Sequence, residues 1–338
     1  MRAIPQKSLL VLALSGSLFL AACGSDGEAT GDASASAVPS ASASASGSAT
    51  PSAKPSKVPT SKNFDKVSVS GAFGKSPKVK IDAPYAIDKT RTKVLEDSDG
   101  AVVAAGQTVE VNYYGVDGRT GKKFDESFSA GQPVAFSLDQ VVPGFSKGLT
   151  GQKKGSRVLI AMPGSDGYDA SGGNAQAGIE VGDTLVFVVD IVDVQLSEPA
   201  GTRVEPKAGL PTVTGPLDKP DITIPKSDAP EELVVQPLIK GDGTKVGASD
   251  TITFAYRWEI WDDGRLVEES YGQKPGSSPL SGLVAGLQEG LEGQTVGSRV
   301  LLVIPPDKGY PDGNAQPKVD KGETLVMVVD LLFTQAGQ

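Results

Sequence analysis

The chain reads as an α+β protein of two tandem units, each a twisted antiparallel β-sheet wrapped around one short α-helix. Internal duplication is the first reason. Gly151-Gln152-Lys153-Lys154-Gly155-Ser156-Arg157-Val158-Leu159 returns as Gly293-Gln294-Thr295-Val296-Gly297-Ser298-Arg299-Val300-Leu301. Thr184-Leu185-Val186-Phe187-Val188-Val189-Asp190 returns as Thr324-Leu325-Val326-Met327-Val328-Val329-Asp330. A spacing of about 140 residues is the length of a whole domain, too long for a solenoid repeat. Strand patterning is the second reason. Val109-Glu110-Val111-Asn112-Tyr113 alternates at period two, as a half-buried strand does. Val158 to Met162 and Leu185 to Val194 are apolar runs dense in β-branched residues, which suits a sheet interior. The third reason is a shortage of helix. Val141 to Leu149 is the helical candidate of the first copy, with Phe145 and Leu149 four apart on one face. One short helix cannot cover both faces of a sheet, so the sheet is expected to twist around it.

In chain order, residues 1–22 have the form of a secretory signal peptide. Arg2 and Lys7 give a positive start, and Ser8 to Ala22 is uncharged and mostly apolar. That run is shorter than the roughly 20 residues a membrane-spanning helix needs. Leu20-Ala21-Ala22-Cys23 closes it with the chain's only cysteine. The arrangement resembles the lipobox of bacterial lipoproteins, which implies a lipidated Cys23 at the mature N-terminus. Residues 23–62 are Ser, Ala, Gly and Pro with a few charges, too poor in large apolar groups to offset the entropy of ordering. They read as a flexible tether. The first unit is expected over 63–196 and the second over 220–335. Residues 197–219, with Glu198-Pro199-Ala200-Gly201, Pro211 and Gly215-Pro216, read as a linker between them. Asp117-Gly118 and Asp262-Asp263-Gly264 mark hairpin-like turns. Val79-Lys80-Ile81 and Ile222-Thr223-Ile224 form a further matched pair at the start of the two copies.

Composition removes whole classes of chemistry. The net charge is −9 and Lys and Arg form no cluster, so no nucleic-acid partner is expected. The chain contains no histidine, which removes Ser-His-Asp and Cys-His catalysis and histidine-based metal centres. Neither a GxxxxGK[ST] nor a GxGxxG loop occurs. With its cysteine lipidated the mature chain forms no disulfide. The expectation is a protein that works with aromatics, aliphatics, carboxylates and backbone, with no cofactor and no metal.

The motifs then fall in a specific order. Val111-Asn112-Tyr113-Tyr114-Gly115 leads to Gly121-Lys122-Lys123-Phe124-Asp125-Glu126-Ser127, then Pro133 to Leu138 and Val141-Val142-Pro143-Gly144-Phe145. Gly167-Tyr168 and Thr184-Leu185-Val186-Phe187 complete the series. This order resembles the FKBP-type peptidyl-prolyl cis-trans isomerases, the macrolide-binding immunophilins. The resemblance implies a proline pocket in the first unit. Tyr113, Phe124 and Asp125 match its wall and buried carboxylate, and Val141 and Val142 the helix lead-in, where a backbone amide meets substrate. Phe145 matches the floor, Tyr168 the loop tyrosine that donates to a substrate carbonyl, and Ile179 and Phe187 the other side. Two departures stand out. Val134 occupies a position that is often aromatic, and Asp169 follows the loop tyrosine where glycine is usual. Phe136 reads as core. In the second copy Tyr256 and Tyr310 remain, but Val267-Glu268 replaces the Phe-Asp pair, Leu287 stands at the floor, and Met327 replaces the closing aromatic. Trp258 takes the position of Gly115. That copy is expected to have a degenerate pocket and a holding or spacer role.

Taken together, the resemblances imply an isomerase that assists exported polypeptides to fold at the outer face of the cytoplasmic membrane. The implied partners are proline-containing exported chains, the membrane through the N-terminal lipid, and a macrolide as inhibitor; a monomer is expected. Two other readings are a non-catalytic chaperone or binding lipoprotein of the same fold, and a structural lipoprotein of two immunoglobulin-like domains. The Pro-Gly-Phe helix and the Gly-Lys-Lys-Phe-Asp turn speak against the last.

Overall fold

The computed structural model describes residues 58–337. The signal-peptide and Cys23 readings, and the tether up to residue 57, lie outside them; Thr60–Ser61, read as the end of the tether, instead pairs in parallel with Ala86–Ile87. Two antiparallel sheets share one strand order. In the first, Arg91–Glu96, Arg157–Met162, Leu185–Val194, Thr108–Asp117 and Lys123–Glu126 lie side by side, and Val134–Ser137 also pairs with Thr108–Asp117. In the second the order is Gly201–Arg203, Val234–Gly241, Arg299–Ile304, Leu325–Gln335, Thr251–Ile260 and Leu266–Glu269, with Gly276–Pro279 against Thr251–Ile260. The duplication seen in the sequence is therefore repeated in strand register. Phe187 faces Gly115 and Met327 faces Trp258.

Each sheet carries one α-helix, Pro143–Leu149 and Ala285–Leu291. The first begins at Pro143, where a proline's missing N–H is harmless, and Val142 precedes it in an extended conformation. Its buried face is Gly144, Phe145, Gly148 and Leu149. The two glycines, four apart, let the helix lie close on the sheet. A Cβ at Gly144 would stand 2.6 Å from the Met162 side chain, and one at Gly148 would stand 2.7 Å from Ile160. That approach brings Phe145 down onto the sheet.

Sheet alternation decides what each face meets. On the helix side, Val158, Ile160, Met162, Leu185, Phe187 and Val189 form one apolar cluster with Phe145 and Leu149. On the other side, Leu159, Ala161, Val186 and Val188 need a different cover. The hairpin of Val67–Ser70 and Lys78–Ile81 supplies it through Val67, Val69, Val79 and Ile81. The second unit repeats the device. Thr212–Thr214 pairs with Asp221–Thr223, and Val213 and Ile222 lie with Leu301, Val303, Val326 and Val328.

This corrects the reading of 197–219 as a linker. Gly201–Arg203 adds an edge strand to the second sheet, and Thr212–Thr214 is half of its covering hairpin. An uncovered face carrying Leu301, Val303, Val326 and Val328 would be a large exposed apolar patch, so the preceding segment folds over it.

A buried ion pair fixes each hairpin. Arg157 donates to both carboxylate oxygens of Asp190 (2.5 and 2.8 Å) and to the carbonyls of Gly71 and Lys75 (2.6 Å each). Gly74 N–H donates to Asp190 at 2.7 Å. The repeated Gly-Ser-Arg motif does the same in the second unit: Arg299 donates to Asp330 at 2.7 Å and to the Leu217 carbonyl at 2.6 Å.

Candidate functional site

The strands and the helix of the first unit converge on a small apolar cavity. Its walls are Tyr113, Phe124, Asp125, Phe136, Val141, Val142, Phe145, Tyr168 and Phe187. Tyr113 comes from the long Thr108–Asp117 strand, and Phe124 and Asp125 from the neighbouring Lys123–Glu126 strand. Phe145 rises from the helix, Val141 and Val142 lead into it, and Phe187 lies on the central strand. A larger cleft, about 440 Å³, has polar and charged residues such as Gln107, Asp139, Gln195, Glu198 and Lys274 in its lining. The smaller cavity has what a selective site needs, an apolar lining with a few convergent polar groups.

Phe187 is the hub of the aromatic packing. Its ring meets Phe145 at 4.9 Å and 88°, Phe124 at 5.5 Å and 89°, and Tyr113 at 6.4 Å and 61°. Phe136 meets Phe145 at 5.3 Å and 69°. These edge-to-face contacts lock each ring against its neighbours and leave ring faces as walls.

The polar groups are few and placed. Tyr113 donates its hydroxyl to Asp125 Oδ2 at 2.6 Å. The other oxygen of Asp125 accepts the Glu126 N–H at 2.9 Å. Ser127 holds this corner, accepting the Tyr113 N–H at 3.0 Å and returning its own N–H to the Tyr113 carbonyl at 3.0 Å. Burial, then the bond to Asp125, pushes the Tyr113 hydroxyl far above its ordinary pKa. The Tyr168 hydroxyl is pushed up to about 12 by burial and then by the charge of Asp125. Among the described residues neither the Tyr168 hydroxyl nor the Val142 N–H has a hydrogen-bond partner. Both are free donors at the cavity, one in its lining side chain and one in the backbone of a lining residue. The arrangement can accept an apolar ring and donate to carbonyls on either side. It offers no nucleophile with an adjacent base.

The loop carrying Tyr168 is tied down at two points. Lys147 and Thr90 hold the Asp166 carboxylate at 2.6 and 2.5 Å, and although burial alone would raise its pKa, these partners keep it below the ordinary carboxylate value. Asp169, the residue out of pattern, accepts the Gly182 N–H at 2.8 Å and so joins the two loops beside the cavity.

Two expectations change. Ile179 does not line the cavity. It is 4 % exposed and buried in the apolar cluster alongside Phe187. Phe136, read as core, is part of the lining. It lies two residues beyond Val134 on the same strand, hence on the same face. It supplies there the ring that Val134 lacks.

In the second unit side chains pack into the matching position. Trp258 is 5 % exposed and buried in one cluster with Leu287 and Met327, against which Tyr256, Val267 and Tyr310 pack. Its ring lies 6.2 Å from that of Tyr310. Burial, then Glu268, pushes the Tyr256 hydroxyl up to about 12.

A family model described as FKBP-type peptidyl-prolyl cis-trans isomerase matches this chain twice, over residues 100–192 and 243–332. A probable FK506-binding protein of Corynebacterium glutamicum is 36% identical over 118 residues, covering 34% of this chain and 98% of the relative. An FK506-binding protein of Streptomyces anulatus is 40% identical over 104 residues, 30% of this chain and 83% of the relative. The crystal structure of FkpA from Escherichia coli is 37% identical over 31% of this chain and 47% of its own, with a TM-score of 0.29.

Proposed function

This chain belongs to the FKBP-type peptidyl-prolyl cis-trans isomerases, and we propose that the aromatic cavity of its first unit is where the X-Pro bond rotates. The observation that carries this reading is the cavity itself, an apolar socket floored by Phe145 and Phe187 with free donors at Tyr168 and Val142.

Rotation about a peptide bond meets a barrier of about 18–20 kcal/mol, because resonance keeps the amide planar. X-Pro bonds populate both isomers and interconvert in roughly 10–100 s unaided. The twisted amide has lost resonance and carries less separated charge than the planar one. A water-poor apolar socket therefore disfavours the planar form more than the twisted form, and that difference lowers the barrier. An acceleration of roughly 10⁴-fold requires about 5.5 kcal/mol. Shape, desolvation and a few hydrogen bonds can supply it without any proton transfer.

In this reading Phe145, Phe187 and Phe136 hold the proline ring. Tyr168 and the Val142 N–H donate to the flanking carbonyls. Asp125 and Tyr113, joined at 2.6 Å, line the space into which the rotating carbonyl turns. Phe124, Val141 and Val142 complete the wall, and Ile179 belongs to the buried cluster that includes Phe145 and Phe187. A macrolide that presents a ring and carbonyls in the same places would compete for the socket.

The chain is proposed to act as an anchored lipoprotein of two tandem units on polypeptides emerging outside the cytoplasmic membrane, with Cys23 lipidated and the Ser/Ala-rich segment after it setting its reach. The second unit, with Leu287 at the floor and Met327 for a phenylalanine, is proposed to hold or space substrate. Two measurements test this. In cells fed a labelled fatty acid, the wild-type chain should take up label and sediment with membranes, and Cys23→Ser should do neither. A Cys23→Ser chain that still fractionates with membranes contradicts the anchor. In a protease-coupled assay, the full chain should speed the cis-to-trans conversion of an X-Pro peptide in proportion to its concentration. No acceleration would contradict the catalytic reading.

A further inference from the structure

One position separates the open socket of the first unit from the filled one of the second. Gly115 lies opposite Phe187 and beside Asp125 in the sheet, and Trp258 lies opposite Met327 and beside Glu268 in the same registers. At Gly115 even one carbon is too much. A Cβ there would stand 2.6 Å from Phe124 Cζ and 3.0 Å from Phe187 Cε1, distances that force one of the rings to move. Those two rings meet edge to face at 5.5 Å and form adjoining walls of the socket. In the second unit both rings are gone, replaced by Val267 and Met327, and the indole of Trp258 packs with them at 5 % exposure. Two phenylalanines and a glycine have become a valine, a methionine and a tryptophan. The tryptophan adds more side-chain volume than the two phenylalanines give up, so the exchange fills space that stands open in the first unit. Yet Trp258 Nε1 is buried with no acceptor, a cost that a purely packing residue such as phenylalanine would avoid. Tyr256 and Tyr310 remain in place around it, and Glu268 stands beside Tyr256.

We infer that the residue at this strand position decides which unit accepts a prolyl ring: Gly115 keeps the first socket open, and Trp258 is the built-in occupant of the second. The inference rests on the proposed role of the first cavity and extends it to a specificity-determining residue. The second site is a complete framework closed by its own side chain. With the indole removed and the two phenylalanine rings restored, it takes the same class of ligand, an X-Pro peptide.

The test uses the full chain and an Ala-Leu-Pro-Phe peptide. Gly115→Ala is compared with Leu159→Ala, which loosens the opposite face of the same sheet without touching the cavity. Gly115→Ala should lose about tenfold or more in kcat/KM, and Leu159→Ala should stay within about twofold of wild type even where its thermal midpoint falls further. In parallel, heteronuclear NMR follows the backbone signals of Tyr256 and Tyr310 as peptide is added. They should stay unshifted in wild type and shift saturably in Trp258→Gly or in the triple variant Trp258→Gly, Val267→Phe, Met327→Phe. Wild-type kcat/KM in Gly115→Ala overturns the inference, as do signals that shift in wild type or in neither variant. A wild-type chain without isomerase activity defeats the functional reading itself. A wild-type chain that is active while Gly115→Ala matches it defeats the inference alone.

Discussion

Phe145 offers the sharpest perturbation of the socket, because its ring is both the floor and a packing partner. It is 6 % exposed and makes edge-to-face contacts with Phe187 at 4.9 Å and with Phe136 at 5.3 Å. Each such contact is worth about 0.5–1.5 kcal/mol beyond area, and Phe→Ala in a core costs about 3–5 kcal/mol in all. That loss is survivable for a domain stable by about 5–15 kcal/mol, most safely at low temperature. The catalytic effect is worked separately. A proline ring buries three methylenes at about 0.8 kcal/mol each, and a floor supplying about half of that burial contributes on the order of 1.2 kcal/mol, close to tenfold in rate. Phe145→Ala should therefore lower kcat/KM about tenfold or more, since Phe187 and Phe136 also lose their brace. Phe145→Leu keeps the apolar volume and should lose only about threefold. The assay is kcat/KM on an X-Pro peptide near 10 °C, with far-UV circular dichroism recording the folded fraction. Full activity in a folded Phe145→Ala chain would refute the assignment of the floor.

Three other predictions bear on the same structure. Tyr168 titrates near 12 and Tyr113 higher still, so both stay protonated at neutral pH and kcat/KM should be flat from about pH 6 to 9. Because their folded values are raised, the stability they contribute is complete below their ordinary value of 10.0 and is lost as pH rises through the folded values; an activity transition near neutral pH would contradict this. Arg157→Met leaves Asp190 buried with one backbone N–H for a partner and releases two hairpin carbonyls. It should cost about 3–5 kcal/mol in urea unfolding, and Arg157→Met with Asp190→Leu should recover most of it. A single variant costing under about 1 kcal/mol would contradict the clasp. Trp258→Phe removes a buried, unpartnered N–H along with some ring area, so its stability should stay within about 1 kcal/mol of wild type by the same method. A larger loss would mean that the indole makes a contact that phenylalanine cannot.

The sheets and the helix were legible because period-two alternation and the Pro-Gly-Phe run are local signals. The structure gathers Tyr113, Phe124, Asp125, Val141, Val142, Phe145, Tyr168 and Phe187 around one cavity, and each belongs to a short motif whose spacing is visible in the chain. Phe136 reads as core for a simple reason. Alternation tells which face a residue takes but not how far its side chain reaches along that face, so Val134 and Phe136 were indistinguishable by period alone. The covering hairpins were missed because their strands are three or four residues long and sit among prolines and glycines. A signal was nevertheless present. Leu185 to Val194 is apolar on both faces, which demands a cover on each, and the repeated Arg and Asp of the two copies mark its clasp.

The most direct measurement is the exchange rate between cis and trans forms of an Ala-Leu-Pro-Phe peptide, read by two-dimensional exchange NMR in the presence of the full chain. The account predicts exchange that rises linearly with wild-type protein and returns close to the unaided rate with Asp125→Ala and Phe145→Ala combined. Exchange unchanged by the wild-type chain, or undiminished in that folded double variant, would contradict it.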